Sequence, residues 1–176
     1  MWNIIYDTSI QQVFQHNYQT TPLDYASTQF YHNRKDKILQ RLDEISKMDD
    51  EEVKREVEKL WDSNYQKHNR AIDWDSINFS KHKLMDIAYC MGGQRLSLIL
   101  KNYWTDFKNS NHGMPDLFLW NSNTKECIFS EVKSENDELR DVQKGWIWYL
   151  TLIGFKVEVW YVNRASKKSK QEAVFE

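Results

Sequence analysis

A chain of 176 residues, 40% hydrophobic and 28% charged, is long enough to close one apolar core without staples and has the ordinary balance of a soluble domain. Its net charge of −2 excludes the broadly basic class of nucleic-acid-binding domain, so a polyanion must be met by a local surface or by bound cations that the sequence does not count. Cys90 and Cys127 make neither a disulfide framework nor a CxxC zinc pair, and read as buried free thiols of a reducing compartment.

In chain order, the N-terminal MWNIIYDTSIQQ has no basic region or long apolar run, so it does not read as a secretory signal, and no later stretch is apolar enough for a membrane helix. Leu39, Leu42 and Ile45 step through a charged segment as the inner face of a helix. Asp49 and Asp50 interrupt it and cap the next, whose face carries Val53, Val57, Leu60 and Trp61. A short helix is expected over residues 84–91, stopped by Gly92-Gly93, and a fourth over 96–107 with Leu96, Ile99, Leu100 and Tyr103 on one side. The last third changes character. Strands are expected over 117–120 and 127–132, joined at Asn121-Ser122-Asn123 as a hairpin. A helix over 140–153 carries Val142, Trp146, Tyr149 and Leu150 near one face and ends at Gly154. A half-buried strand over 156–162 then alternates Val157, Val159 and Tyr161 with Lys156, Glu158 and Trp160.

Three segments carry chemistry: Gly113-Met114-Pro115-Asp116, Glu131-Val132-Lys133, and Gln143. Asp116 sits where a loop enters the first strand. Glu131 and Lys133 stand two apart on the second, so their side chains share a face. In a hairpin Asp116 comes beside Glu131, and two adjacent carboxylates repel unless a cation lies between them. Hard divalent ions favour such oxygen ligands, and a lysine on the same face suits metal-assisted phosphodiester hydrolysis. The same residue types also make a solvated carboxylate and a surface Glu–Lys salt bridge, and spacing alone leaves both readings open.

Pro115-Asp116 followed by Glu131-Val132-Lys133 resembles the PD-(D/E)xK nuclease motif. The string GMPDLFLWNSNTKECIFSEVKSENDELRDVQKGWIWYLTLIGFKVEVWYV resembles the VRR-NUC domain of that superfamily, and within it the catalytic domain of the Fanconi-associated nucleases. The likeness extends upstream through residues 2–14, Pro22-Leu23-Asp24, Trp74-Asp75 and Gly92-Gly93. It implies a restriction-endonuclease-like α/β fold: a single domain over 1–176, mainly helical over 1–110, with a catalytic core over 111–164 and a tail over 165–176. It implies a structure-selective nuclease dependent on Mg²⁺ or Mn²⁺. Such an enzyme cuts 5′ flaps and branched DNA, trims from 5′ ends, acts in interstrand crosslink repair in the nucleus, and uses neither a membrane nor a small-molecule cofactor. Carried onto this chain, Asp116, Glu131 and the Val132 carbonyl match metal ligands, Lys133 the catalytic lysine, and Gln143 the glutamine of the following helix.

The chain departs from the pattern at Ser134-Glu135, where Gly-Pro is usual, and at Glu138, where Arg is common; both changes add negative charge near the site. The resemblance also implies a first acidic ligand on a helix, and DNA-docking and helical-repeat domains, before the segment matching Trp2. The expectation is therefore a fragment that cleaves poorly alone. The alternative is an inactive piece that binds DNA or packs against other domains.

The remaining candidates have plainer readings. No two of His16, His32, His68, His82 and His112 have the spacing of a helical zinc pair, and His112 reads as a loop residue near the proposed metal. Lys81, Lys83, Lys101 and Lys108 read as solvated helix surface. Trp146 is expected in the core and Trp148 partly exposed, toward DNA or another domain. Lys167, Lys168 and Lys170 lie in the tail, a frayed end or a basic targeting segment.

Overall fold

A computed structural model describes residues 2–5, 7–16, 18–25, 27–65, 80–106 and 110–163; His68, Trp74-Asp75, Lys108 and the tail lie outside these. The chain forms two compact units: residues 1–112 with 120–127, and residues 113–119 with 128–176.

In the first unit, α1 (Trp2–Ile5) and α2 (Thr28–Lys47) precede α3 (Asp50–Asn64), α4 (Lys81–Met91) and α5 (Gly93–Thr105). Helix α2 packs on α5, and α3 on α4. The joint between α2 and α3 is a capping box: the Asp49 side chain accepts from the Glu52 amide at 2.8 Å, and Glu52 accepts from the Asp49 amide at 2.8 Å. Ile5, Phe30, Ile38, Leu42 and Trp104 form a buried cluster, and each such side chain contributes roughly 1.5–3 kcal/mol by leaving water.

The buried stripe of α2 is Phe30, Arg34, Ile38, Leu42 and Ile45, so Ile38 takes the inner position expected of Leu39, which is 36% exposed. The reason is Arg34. A charged residue inside the stripe shifts the apparent apolar phase, and its burial is tolerated because Nη1 and Nε are paired, although Nη2 has no partner. The guanidinium bonds Asp24 at 2.6 Å and the Ile4 carbonyl at 2.9 Å, and stacks over the Phe30 ring at 4.1 Å. Near the first helix, Lys37 and Ser9 hold the Asp7 carboxyl down to about 2 from its ordinary 3.8.

Helix α5 starts at Gly93, earlier than residue 96, and ends at Thr105. Only glycine fits its first position: a Cβ on Gly93 would stand 2.3 Å from the Ile45 carbonyl oxygen and 2.5 Å from that of Met48. Cys90 and Cys127 are buried and free, and burial pushes both thiols up.

Strand β1 (Leu117–Asn121) and β2 (Glu126–Ser134) flank a turn at residues 122–125, and α6 (Asp141–Leu152) carries the chain to β3 (Lys156–Val162). The sheet order is β1-β2-β3. So short a connection makes β1 and β2 antiparallel, whereas β2 and β3 are parallel with α6 as their crossover. Strand β2 begins one residue before its expected span and runs two beyond it, to Ser134, because β3 pairs with it as far as that residue. Phe129 meets Phe118 at 4.8 Å and Phe155 at 5.1 Å, forming the aromatic centre of the second unit.

Two expectations about faces fail. On α6 the buried side is Gln143, Trp146 and Leu150, while Val142 is exposed. A polar residue takes the inner place because buried charges on β2 need its amide. On β3 the expected alternation is absent: Val157, Glu158 and Val159 are half-buried, and Trp160, Tyr161 and Val162 are exposed. With a neighbour on one side only in the described sheet, the edge strand keeps both faces partly in solvent.

Candidate active site

The site is assembled by β1, β2 and the start of α6. Glu131 and Lys133 share a face of β2 and are buried, at 1% and 9% exposure. They are not the surface pair that such spacing often makes. Lys133 Nζ stands 3.1 Å from Glu131 Oε1 and donates to Gln143 Oε1 at 3.0 Å. Gln143 Nε2 donates to Glu131 Oε1, and the Arg140 amide donates to Gln143 Oε1 at 3.0 Å. The glutamine therefore closes a ring between the two charges while capping its own helix as the third helical residue.

One oxygen is left over. Glu131 Oε2 is buried without a hydrogen-bond partner, a costly state for a carboxylate unless something else meets it. Asp116 is exposed, and its Oδ2 accepts from the Val132 amide at 2.9 Å, between Glu131 and Lys133 on the backbone. The loop leading to Asp116 is held by close approach. Gly113 has φ +82, and a Cβ there would stand 2.9 Å from the Val142 carbonyl carbon and 3.1 Å from the Gln143 nitrogen. A side chain at 113 would push the loop off α6.

Asp137 closes the turn after β2, its Oδ2 accepting from the Ser134 amide at 3.2 Å; the Ser134 hydroxyl first, and then this amide, hold its carboxyl below the usual range. Glu135, Glu138 and Asp141 are exposed on the same connection, against Arg140 and Lys144.

These donors fit a hard divalent cation: an unpartnered buried carboxylate oxygen, and an accessible carboxylate bonded to the amide of the next residue. Among the described residues no cluster of three or more His, Cys, Asp and Glu side chains forms a metal cage. The structure thus brings Asp116, Glu131, Val132, Lys133 and Gln143 together in one unit. His112 is exposed two residues before Met114, and Lys81 is engaged by Asp62 and Glu58 on the helical surface, at 2.9 and 3.0 Å. Sequence reasoning missed the Arg140 amide and the buried Arg34–Asp24 pair. An arginine at an inner position of a helical stripe was the available signal for the second.

A mixed α/β fold with an acid at the mouth of one strand and a Glu-x-Lys on the next defines the restriction-endonuclease-like class. The VRR-NUC domain family matches residues 48–164, and the chain belongs to it. Among its relatives are Fanconi-associated nuclease 1 of Mus musculus, 32% identical over 97% of this chain and 17% of the relative, and the homolog of Schizosaccharomyces pombe, 35% identical over 95% and 23%. A crystal structure of paFAN1 bound to 2nt 5′flap DNA with a gap superposes with a TM-score of 0.78 at 17% identity, covering 94% of this chain and 30% of that one. The chain spans between about a sixth and a quarter of the length of these relatives. The PD-(D/E)xK type to which the family belongs implies a divalent metal. No helix among the described residues is long and apolar enough to cross a membrane.

Proposed function

We propose that this chain is the catalytic portion of a structure-selective DNA nuclease that uses Mg²⁺ or Mn²⁺ to hydrolyse phosphodiester bonds. The observation that carries the reading is the buried Glu131 with its unpartnered Oε2, on the strand whose Val132 amide holds Asp116. Asp116, Glu131 and the Val132 carbonyl would hold the cation. A bound divalent ion supplies Lewis acidity and an activated water at neutral pH. Lys133 presents fixed positive charge where negative charge grows on the phosphate, and Gln143 holds that ammonium and Glu131 in place before the reaction, so little reorganisation is needed. The names of the relatives, and the flap DNA in the paFAN1 structures, support 5′-flap DNA as substrate in DNA repair, and the family resemblance extends the reading to branched DNA, trimming from 5′ ends and crosslink repair in the nucleus. Their greater length supports a reading in which further domains of the polypeptide supply DNA docking.

Calorimetric titration with Mn²⁺ tests the site directly: heat is expected for the unsubstituted chain and none for Asp116→Ala. Equal binding by both would remove the proposed centre. A second reading, a DNA-binding or domain-packing piece without catalysis, is favoured by the two-carboxylate donor set and the acidic Glu135, Glu138 and Asp141 beside it. It predicts flap binding with no Mn²⁺ heat and no cleavage.

A further inference from the structure

We infer that Arg140 at the N-cap of α6, with Lys144 and Trp148 along the helix, forms a binding track for an unpaired nucleic-acid strand, with Trp148 as its stacking platform, an inference that rests on the nuclease reading of the adjacent site. The residues stand at i, i+4 and i+8, so they follow one side of the helix over about 12 Å, the reach of roughly two to four nucleotides. All three are exposed. Trp148 is 66% exposed and Leu152, one turn further, 64%, whereas Trp146 two residues earlier is buried. An uncovered indole on a helix offers a flat face on which a base can stack.

Continuity with the site gives the track a direction. The amide of Arg140 is bonded to Gln143 Oε1, the same oxygen that holds Lys133. A strand leaving the reacting phosphate along α6 therefore meets a guanidinium, then an ammonium, then an aromatic face. Glu135, Asp137, Glu138 and Asp141 surround these two cations and repel a polyanion, so phosphates are confined to the line of Arg140 and Lys144. Lys144 meets Asp141 at 3.2 Å, but the Asp141 side chain is 99% exposed, and a solvated pair of this kind exchanges readily for a phosphate. Continuity with the site, and cations set beside an exposed indole, select the occupant. A protein partner favours an apolar centre depleted of charge, whereas cations flanking an exposed aromatic match phosphates flanking a base. Stacking needs a free base face, which a duplex does not offer.

The test uses the full chain without added metal and a fluorescein-labelled oligothymidine of about ten nucleotides, read by anisotropy. Trp148→Ala is expected to weaken binding about 5- to 150-fold, and Trp148→Phe to restore it to within about threefold. Arg140→Ala and Lys144→Ala should each lower the slope of log affinity against log salt by about one. A blunt duplex should bind Trp148→Ala and the unsubstituted chain alike. No strand binding by the unsubstituted chain, or equal binding by Trp148→Ala, overturns the track and leaves Trp148 to a protein partner. Failure of the nuclease reading looks different: Trp148-dependent strand binding persists while neither the unsubstituted chain nor Glu131→Gln cleaves.

Discussion

Both units bury an ion pair, and the two pairs have different work. In the helical unit, Arg34 and Asp24 are joined at 2.6 Å, and the guanidinium is also taken up by the Ile4 carbonyl and the Phe30 ring. In the α/β unit, Glu131 and Lys133 lie 3.1 Å apart and share Gln143. Both pairs leave an oxygen without a partner, Asp24 Oδ1 in one and Glu131 Oε2 in the other. Burial and an unsatisfied atom therefore do not identify chemistry by themselves. The difference is the neighbour. Beside Glu131, the next residue's amide holds the carboxylate of Asp116, a second acid that is open to solvent. Arg34 instead ties α2 to the segments before it, and its substitution should read out as stability alone.

The sharpest test of that contrast is Lys133→Ala. In the full-length context, single-turnover flap cleavage is expected to fall about 10²- to 10³-fold, with the Kd for flap DNA moving less than about threefold. Equal losses in rate and affinity would reduce Lys133 to a phosphate anchor. Arg34→Ala is expected to cost about 3–5 kcal/mol in urea unfolding, because it strands the Asp24 carboxylate in the interior, while rate per folded molecule stays unchanged. A rate loss at full folding would merge the two pairs into one function.

The glycines divide the same way at a smaller scale. Gly93→Ala and Gly113→Ala should each cost about 1–3 kcal/mol from overpacking, measured by thermal unfolding, but only Gly113→Ala should also slow cleavage, since its loop carries Asp116. The smallest effect concerns Asp7. Its carboxyl lies at about 2 in the folded chain against an ordinary 3.8, so its contribution is present above pH 4 and is lost as pH falls toward 2. Lys37 is half-exposed and screened, so the contribution is about 1–2 kcal/mol. Asp7→Asn should lose that amount at pH 7 and show a flatter stability curve between pH 4 and 2, checked by urea titrations at both ends.

Much of the architecture was legible because local physics fixes it. Asp49 caps α3 as its side chain dictates, Gly92 stops α4, and the turn-rich segment after Asn121 joins two strands. Placing Glu131 and Lys133 on one face needed only the two-residue period of a strand. On the two helices where a face was misjudged, a polar residue occupied an inner position. Arg34 displaced the apparent phase of α2, and Gln143 took the inner side of α6 from Val142. A hydrophobic pattern has no place for such residues, because their burial is stabilised by partners distant in sequence.

By itself the sequence determined the order of elements, the strand carrying the glutamate and lysine, and the resemblance that names the family. These follow from side-chain period, caps and motif spacing, which act over a few residues. Only the tertiary structure decided that the Glu–Lys pair is buried rather than a surface bridge, and that Gln143 joins it from another element. It also decided that Gly113 brings the Asp116 loop against α6, and that Glu131 keeps one oxygen free. Burial, hydrogen-bond closure and close backbone approach are set by which elements pack together, and that is not written in any one segment.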